Sequence, residues 1–459
     1  MYKKIVFKNG LRLIIVPGKS VQSVTVLVLV KTGSKYEKKE INGISHFLEH
    51  LYFKGTKKRP TPITVAETLD RVGGIYNAFT GEDFTGYWAK VASSNFDLAL
   101  DWVSDIFFNS LLPKKEIEKE RGVILEEINT YLDIPALHIQ DLWTELLYGD
   151  QPAGRPITGR KENILKMSRQ ELINYRERQY VSQNTLVSVA GNINSDQALE
   201  KVKKYFQKIK IKKPFGKEKV IDASIKTSAE PFGGEPLRAV EPLSRTPSVS
   251  TLSGNRRVEN QTKPGMLLKF KETDQTHLCL GGRGYNTFHP KKYTLELLAS
   301  ILGGMMSSRL FIEIRGKLGL AYSINTSTED DPDTGYLVTR AGVDNKRTDI
   351  AISAILKEYK KVTQKKISKE ELKKAKDHYK GTMALSLEQS EAKASFFAMQ
   401  ELLENKILTP DEVFDKIDKI KAEDILAVAR DIFKPEKLNL ALIGPFKDKE
   451  KFQQILNKF

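Results

Sequence analysis

His46 and His50 stand four residues apart in the string His46-Phe47-Leu48-Glu49-His50. On a helix, that spacing projects both imidazoles from one face, close enough to share a metal ion. Glu49, one residue before the second histidine, falls beside such an ion rather than on it. There a carboxylate can act as the base for a water activated by the metal. The order H-x-x-E-H inverts the H-E-x-x-H motif of zinc peptidases. The chain holds only six histidines in 459 residues, so an accidental string of this kind is rare.

The surrounding residues suit such a helix. At about 100° per residue, Phe47, Leu48, Leu51 and Tyr52 fall on one side of the wheel, and His46, Glu49 and His50 on the other. Gly43 and Ser45 punctuate its start, and Gly55-Thr56 with Pro60 closes the segment. A zinc ion needs a third protein ligand. Cys279 is the single cysteine, which excludes a thiolate set and leaves carboxylates or the other histidines. The segment KKEIEKERGVILEEINTYL, residues 114–132, predicts an amphipathic helix with Ile117, Ile124, Leu125, Ile128 and Leu132 on its apolar stripe. Glu120 and Glu127 border that stripe, two turns apart, whereas Glu126 points away from it. The wheel favours Glu127 or Glu120 as the inward ligand.

Three stretches, GISHFLEHLYFKGT at 43–56, GGIYNAFTGEDFTGYWAKV at 73–91 and ERGVILEEI at 120–128, together resemble the pitrilysin/insulinase-type inverzincin peptidases. The likeness is strongest to the shorter subunits similar to the mitochondrial processing peptidase and its bacterial relatives. It implies one Zn2+ per chain on His46, His50 and Glu127, with Glu49 as the base. Glu120 then takes the family's auxiliary acidic position near the site. GGMMSSRLFIEIRGKLGLAYSI, residues 303–324, resembles the family's substrate-binding segment, which assigns Arg315 to substrate carbonyls and Tyr322 to the developing oxyanion. DHYKGTMALSLEQSEAKASFFAMQELL, residues 377–403, resembles a later helical region, so the likeness spans nearly the whole chain. GGIYNAFT reads as a turn at Gly73-Gly74 followed by an extended segment. The resemblance makes that segment, with Asn77 and Ala78, an edge to which a peptide substrate adds as a strand. Asn77 also suits a turn-stabilising role.

Composition fits a globular protein of two or three domains, 40% apolar and 29% charged. The longest apolar run, Val24 to Val30, is far too short to cross a bilayer and predicts a buried strand. MYKKIVFKNGLRLIIV reads as a hairpin around Asn9-Gly10 rather than a signal peptide. A single cysteine suits a reducing compartment, and cytoplasmic residence is the expectation. The net charge of +16 is spread over many lysines, densest at 201–218 and 357–375. No aromatic-basic motif, zinc knuckle or phosphate loop accompanies them, so neither nucleic acid nor membrane is expected as a partner.

The organisation predicts duplication. Each half opens on strands (3–32 and about 266–284), runs into an apolar helix (44–54 and 291–315), and continues through strands and long helices. The strand Thr185 to Ala190, ending at Gly191-Asn192, is echoed by Leu438 to Ile443, ending at Gly444-Pro445. The expected fold is α+β, with two homologous domains, each a mostly antiparallel or mixed sheet covered by helices, forming a clam-like chamber. The boundaries read as 1–212 for the zinc-binding domain, 213–264 for a flexible linker rich in Pro, Gly, Ser and charge, and 265–459 for the domain carrying the Arg/Tyr pair. The function implied is zinc-dependent cleavage of peptides or unfolded polypeptide. A homodimer is expected because one chain carries both functional sets; a heterodimer with a related subunit and a catalytically silent scaffold are the alternatives.

Overall fold

The computed structural model describes residues 2–217 and 261–459. Most of the linker expected at 213–264 lies outside the described residues.

Eleven strands form two sheets among the described residues. The first is built from β1 (Lys3–Val6), β2 (Arg12–Pro17), β3 (Ser23–Val30), β4 (Ile75–Thr80), β5 (Thr85–Ala92) and β6 (Thr185–Gly191). The second uses β7 (Gly265–Phe270), β8 (Gln275–Arg283), β9 (Ala321–Asp330), β10 (Gly335–Asp344) and β11 (Asn439–Gly444). Their orders are β1-β2-β6-β3-β5-β4 and β7-β11-β8-β10-β9. With β1 set aside, the two orders coincide element by element. Each has one parallel pair, β2 with β6 and β7 with β11, and antiparallel neighbours elsewhere. This is the duplicated α+β fold.

Local chemistry explains the strands. The Asn9-Gly10 hairpin forms, with Gly10 at φ 86°, a region glycine enters freely. β3, SVTVLVLV, is β-branched and buried along nearly its whole length because both faces are covered. Val24, Val26, Val28 and Val30 face the helices of the first half, and Leu27 and Leu29 face the opposite layer.

That opposite layer comes from the other half. Helix Ser390–Glu404 puts Ala394, Phe397, Ala398 and Leu402 against Leu27, Leu29 and Leu186 of the first sheet. Helix Pro135–Tyr148 reciprocates, packing Ile139, Trp143 and Leu147 on Cys279, Val338, Ala441 and Ile443 of the second. The two halves thus exchange equivalent helices, each following the second long helix of its half.

The expected helix 291–315 is two pieces. Helix Lys292–Gly303 stops at the Gly303-Gly304 pair, and a separate π-helical turn runs over Phe311–Lys317. Gly303 packs so tightly on β9 that an added Cβ would lie 2.6 Å from the Thr326 backbone nitrogen. The strands expected at about 266–284 are β7 and β8. Among the described residues, no helix is long and apolar enough to cross a membrane.

Candidate metal centre

The H-x-x-E-H string lies on helix Ile44–Leu51, between β3 and β4. Its start is built from buried polar groups. Gly43 adopts φ 100° as N-cap, and an added Cβ there would meet Gly159, Ile164 and Thr158 at 2.8 Å. Glu37 supplies the missing cap from outside the helix. Its carboxylate accepts hydrogen bonds from the backbone N–H groups of Gly43 (2.7 Å) and Ser45 (2.8 Å) and from Asn42 Nδ2 (2.9 Å). Phe47, Leu48 and Leu51 anchor the other face in the core.

Helix Lys114–Asp133 lies alongside, with Ile117, Ile124 and Ile128 buried. Glu127 is half-buried and faces the two histidines, while Glu126 is exposed. Glu127 Oε2 is 3.6 Å from His46 Nε2 and 3.5 Å from His50 Nε2. One donor atom from each of His46, His50 and Glu127 can be chosen so that all lie within 4.8 Å of one another. Ligands on a tetrahedral zinc with bonds of about 2.1 Å stand roughly 3.4 Å apart, close to the separations of the Glu127 oxygen from the two histidine nitrogens.

The electrostatics agree with that fit. Burial, with His50 beside it, pushes the His46 pKa down to about 3, so its imidazole is neutral, as a metal ligand must be. Burial also raises Glu127, against the pull of His50. Glu49 is raised by burial too, with Glu127 adding to the rise while the Thr80 hydrogen bond and His50 oppose it. A divalent cation among these groups would offset the cost of holding two carboxylates so close.

Glu120 is buried one layer out. Its Oε2 is 3.2 Å from His50 Nδ1 and its Oε1 is 2.8 Å from Lys54 Nζ. Burial opposes its ionisation, but hydrogen bonds from His50 and Lys54 pull its pKa below the ordinary value. Thr80, at the end of β4, donates a 2.5 Å hydrogen bond to Glu49 Oε2. Sequence reasoning missed Thr80, Lys54 and Glu37. Lys54 follows His50 by four residues, a spacing that was readable; Thr80 and Glu37 carry no such signal.

Among the described residues, β4 is an edge strand paired with β5 alone, and no sheet partner meets its outer backbone groups. Asn77 lies mid-strand and exposed, its Oδ1 accepting from the Ala78 N–H at 2.9 Å; it stabilises no turn. Ala78 is buried against the core.

Arg315 and Tyr322 meet each other but not the metal group. Arg315, on the π-helical turn, stacks its guanidinium 4.9 Å from the Phe311 ring and 5.7 Å from the Tyr322 ring. Tyr322 is 77% exposed near the start of β9, at a register shift opposite Gly342 and Val343 that turns its side chain outward. It borders an open cavity of about 530 Å³ with Asp274, Gln275, Asp344 and Lys346. Among the described residues, no hydrogen bond, ion pair or ring contact joins this pair to His46, Glu49, His50 or Glu127.

Relatives carry the same architecture. A family model described as Insulinase (Peptidase family M16) matches residues 13–161, and one described as Peptidase M16 inactive domain matches residues 166–379. The uncharacterized zinc protease YmxG of Bacillus subtilis (strain 168) is 35% identical over 446 residues, covering 97% of this chain and 98% of its own. An uncharacterized zinc protease of Rickettsia felis is 32% identical, covering 95% and 96%. The crystal structure of a protease from Helicobacter pylori superposes with a TM-score of 0.82 at 24% identity, over 97% of this chain and 100% of that one. With a paired-sheet fold, an inverted histidine motif and full-length relatives of this kind, the chain belongs to the insulinase family of peptidases, M16.

Proposed function

We propose that the protein is a zinc-dependent endopeptidase acting on peptides or unfolded polypeptide segments. The observation that carries this reading is the convergence of His46, His50 and Glu127, with the Glu49 carboxylate held beside them by Thr80. His46, His50 and Glu127 would hold the zinc, which when bound would supply Lewis-acid activation of water and of the scissile carbonyl. Glu49 accepts the proton that the attacking water loses and delivers it to the leaving nitrogen. Burial keeps the Glu49 pKa above the ordinary carboxylate range, which suits both roles. The outer edge of β4 pairs with the substrate backbone, which accounts for broad sequence tolerance, with Asn77 and Ala78 along its path.

The Tyr322 hydroxyl stabilises the oxyanion, and Arg315 holds substrate carbonyls. Because this pair stands exposed and apart from its own chain's metal group, we assign it to the metal centre of a second copy. A homodimer then encloses the substrate between facing halves; a related chain in place of the second copy would serve the same geometry. The single cysteine, Cys279, is a buried free thiol and suits the cytoplasm, the compartment we assign.

The test is cleavage of a pool of unstructured peptides by the protein and by Glu49→Gln, with zinc measured in both. Cleavage by the first alone, at equal zinc content, supports the peptidase and its base. Equal zinc with cleavage by neither points to a catalytically silent scaffold.

A further inference from the structure

Lys35 lies in the short 3-10 turn between β3 and the metal-binding helix, and its side chain is 0% exposed. Its Nζ is 2.7 Å from Glu82 Oε2, 3.4 Å from Asp83 Oδ2, 2.6 Å from Asp331 Oδ2, 3.2 Å from Asp333 Oδ1 and 3.1 Å from Thr334 Oγ1. Glu82 and Asp83 form the β4–β5 turn; Asp331, Asp333 and Thr334 form the β9–β10 turn. These turns are counterparts in the duplicated fold, so a single buried ammonium fastens the two halves together. Lys217 adds a second tie, 2.7 Å from both Asp83 and Asp333.

Two short routes lead from Lys35 to the candidate base. The backbone N–H groups of Ser34 and Lys35 donate to the carbonyls of Gly81 (3.3 Å) and Glu82 (3.0 Å), in the turn that begins one residue after Thr80. Thr80 is the donor on Glu49. Two residues beyond Lys35, Glu37 caps the helix that carries His46, Glu49 and His50. The exchanged helices already join the halves through apolar contact. A buried charge adds direction to that adhesion, because an ammonium set among five oxygens holds both turns in one place.

We infer that Lys35 is a positioning residue: through the β4–β5 turn and Thr80 it sets the Glu49 carboxylate, and through Asp331 and Asp333 it makes that setting depend on the second half. This rests on the peptidase reading above.

The experiment compares the full-length protein with Lys35→Met, Asp331→Asn, Thr80→Val and the Lys35→Met/Thr80→Val double variant. It reads zinc content, kcat and KM on a quenched fluorescent peptide, and amide exchange of the metal-free protein. Lys35→Met at full zinc should lower kcat about tenfold or more with KM changed less than about threefold, and Asp331→Asn should act in the same direction. The double variant should lose less than the product of the two single losses, since both changes break the route through Thr80. Exchange at residues 43–45 and 81–84 should rise together. An unchanged kcat at full zinc, or losses that multiply in the double variant, overturns the inference. If Lys35→Met does not fold, Asp331→Asn with Thr80→Val supplies the same coupling comparison. If the wild type cleaves no peptide, the peptidase reading fails; the coupling then stands or falls on whether exchange at 43–45 and 81–84 rises in Lys35→Met.

Discussion

His50 Nδ1 faces Glu120 Oε2 at 3.2 Å, and the other Glu120 oxygen is fixed by Lys54 at 2.8 Å. An imidazole held this way at one nitrogen presents the other, Nε2, toward Glu127 with its lone pair available. Glu120→Gln keeps the shape but weakens the orienting contact, so zinc affinity is expected to fall about 10–100-fold. Glu127→Gln should cost more, because a donor atom is replaced outright. Competition against a chromogenic chelator measures both; an unchanged affinity in Glu120→Gln would remove its orienting role.

Trp143 belongs to the first half of the chain by sequence, yet it packs on the second sheet, its ring 6.0 Å from that of Tyr336. Truncation to alanine leaves a cavity that the rigid strands β8, β10 and β11 cannot fill, at a cost of about 3–5 kcal/mol. Because the exchanged helices tie each half to the other's sheet, Trp143→Ala should lower a single cooperative unfolding transition rather than release one half. Two separated transitions in the calorimeter would contradict that coupling.

Legibility followed the range of the interactions. The two histidines and the outward Glu126 were readable because a helical period is local, but that period left Glu127 and Glu120 both open as the inward ligand, and the choice of Glu127 followed from the resemblance. Duplication was readable from the repeated strand endings at Gly191 and Gly444. The exchange of helices was not, because an apolar stripe such as Ile139, Leu142 and Trp143 looks the same whichever sheet it covers. Lys35 reads as an ordinary surface lysine until folding brings Asp331 and Asp333 to it from the other half. The Gly303-Gly304 break was in plain view, yet apolar residues on both sides carried the helical period across it.

Glu296 stands on helix Lys292–Gly303, the counterpart of the metal-binding helix, and accepts a 2.7 Å hydrogen bond from Tyr379 on the counterpart of the Glu127 helix. Burial, reinforced by Asp330 and Glu404 against the pull of Tyr379 and Lys292, raises the Glu296 pKa from 4.5 to about 7. The folded state therefore binds this proton more tightly than the unfolded chain. That contribution is complete below about pH 4.5 and is lost as pH rises through about 7. Relative to Glu296→Gln, the wild type should lose on the order of 3 kcal/mol of unfolding free energy between pH 4.5 and pH 8. Parallel stability curves for the two proteins across that range would show that Glu296 is ionised alike in both states.

Tyr322 and Glu49 supply the test of where the site is completed. If Tyr322 serves a neighbour's metal centre, Glu49→Gln and Tyr322→Phe are each nearly inactive as pure dimers. Mixed and allowed to exchange, half of the dimers pair one chain of each kind. Every such hybrid has one centre with both defects and one with neither. Activity should return to about a quarter of the wild-type level at equal total chain. A site completed within one chain gives no recovery, because each chain keeps its own defect. Subunit exchange is followed independently by native mass spectrometry, so an absence of hybrids is seen directly and separates a monomer from a dimer whose sites are self-contained.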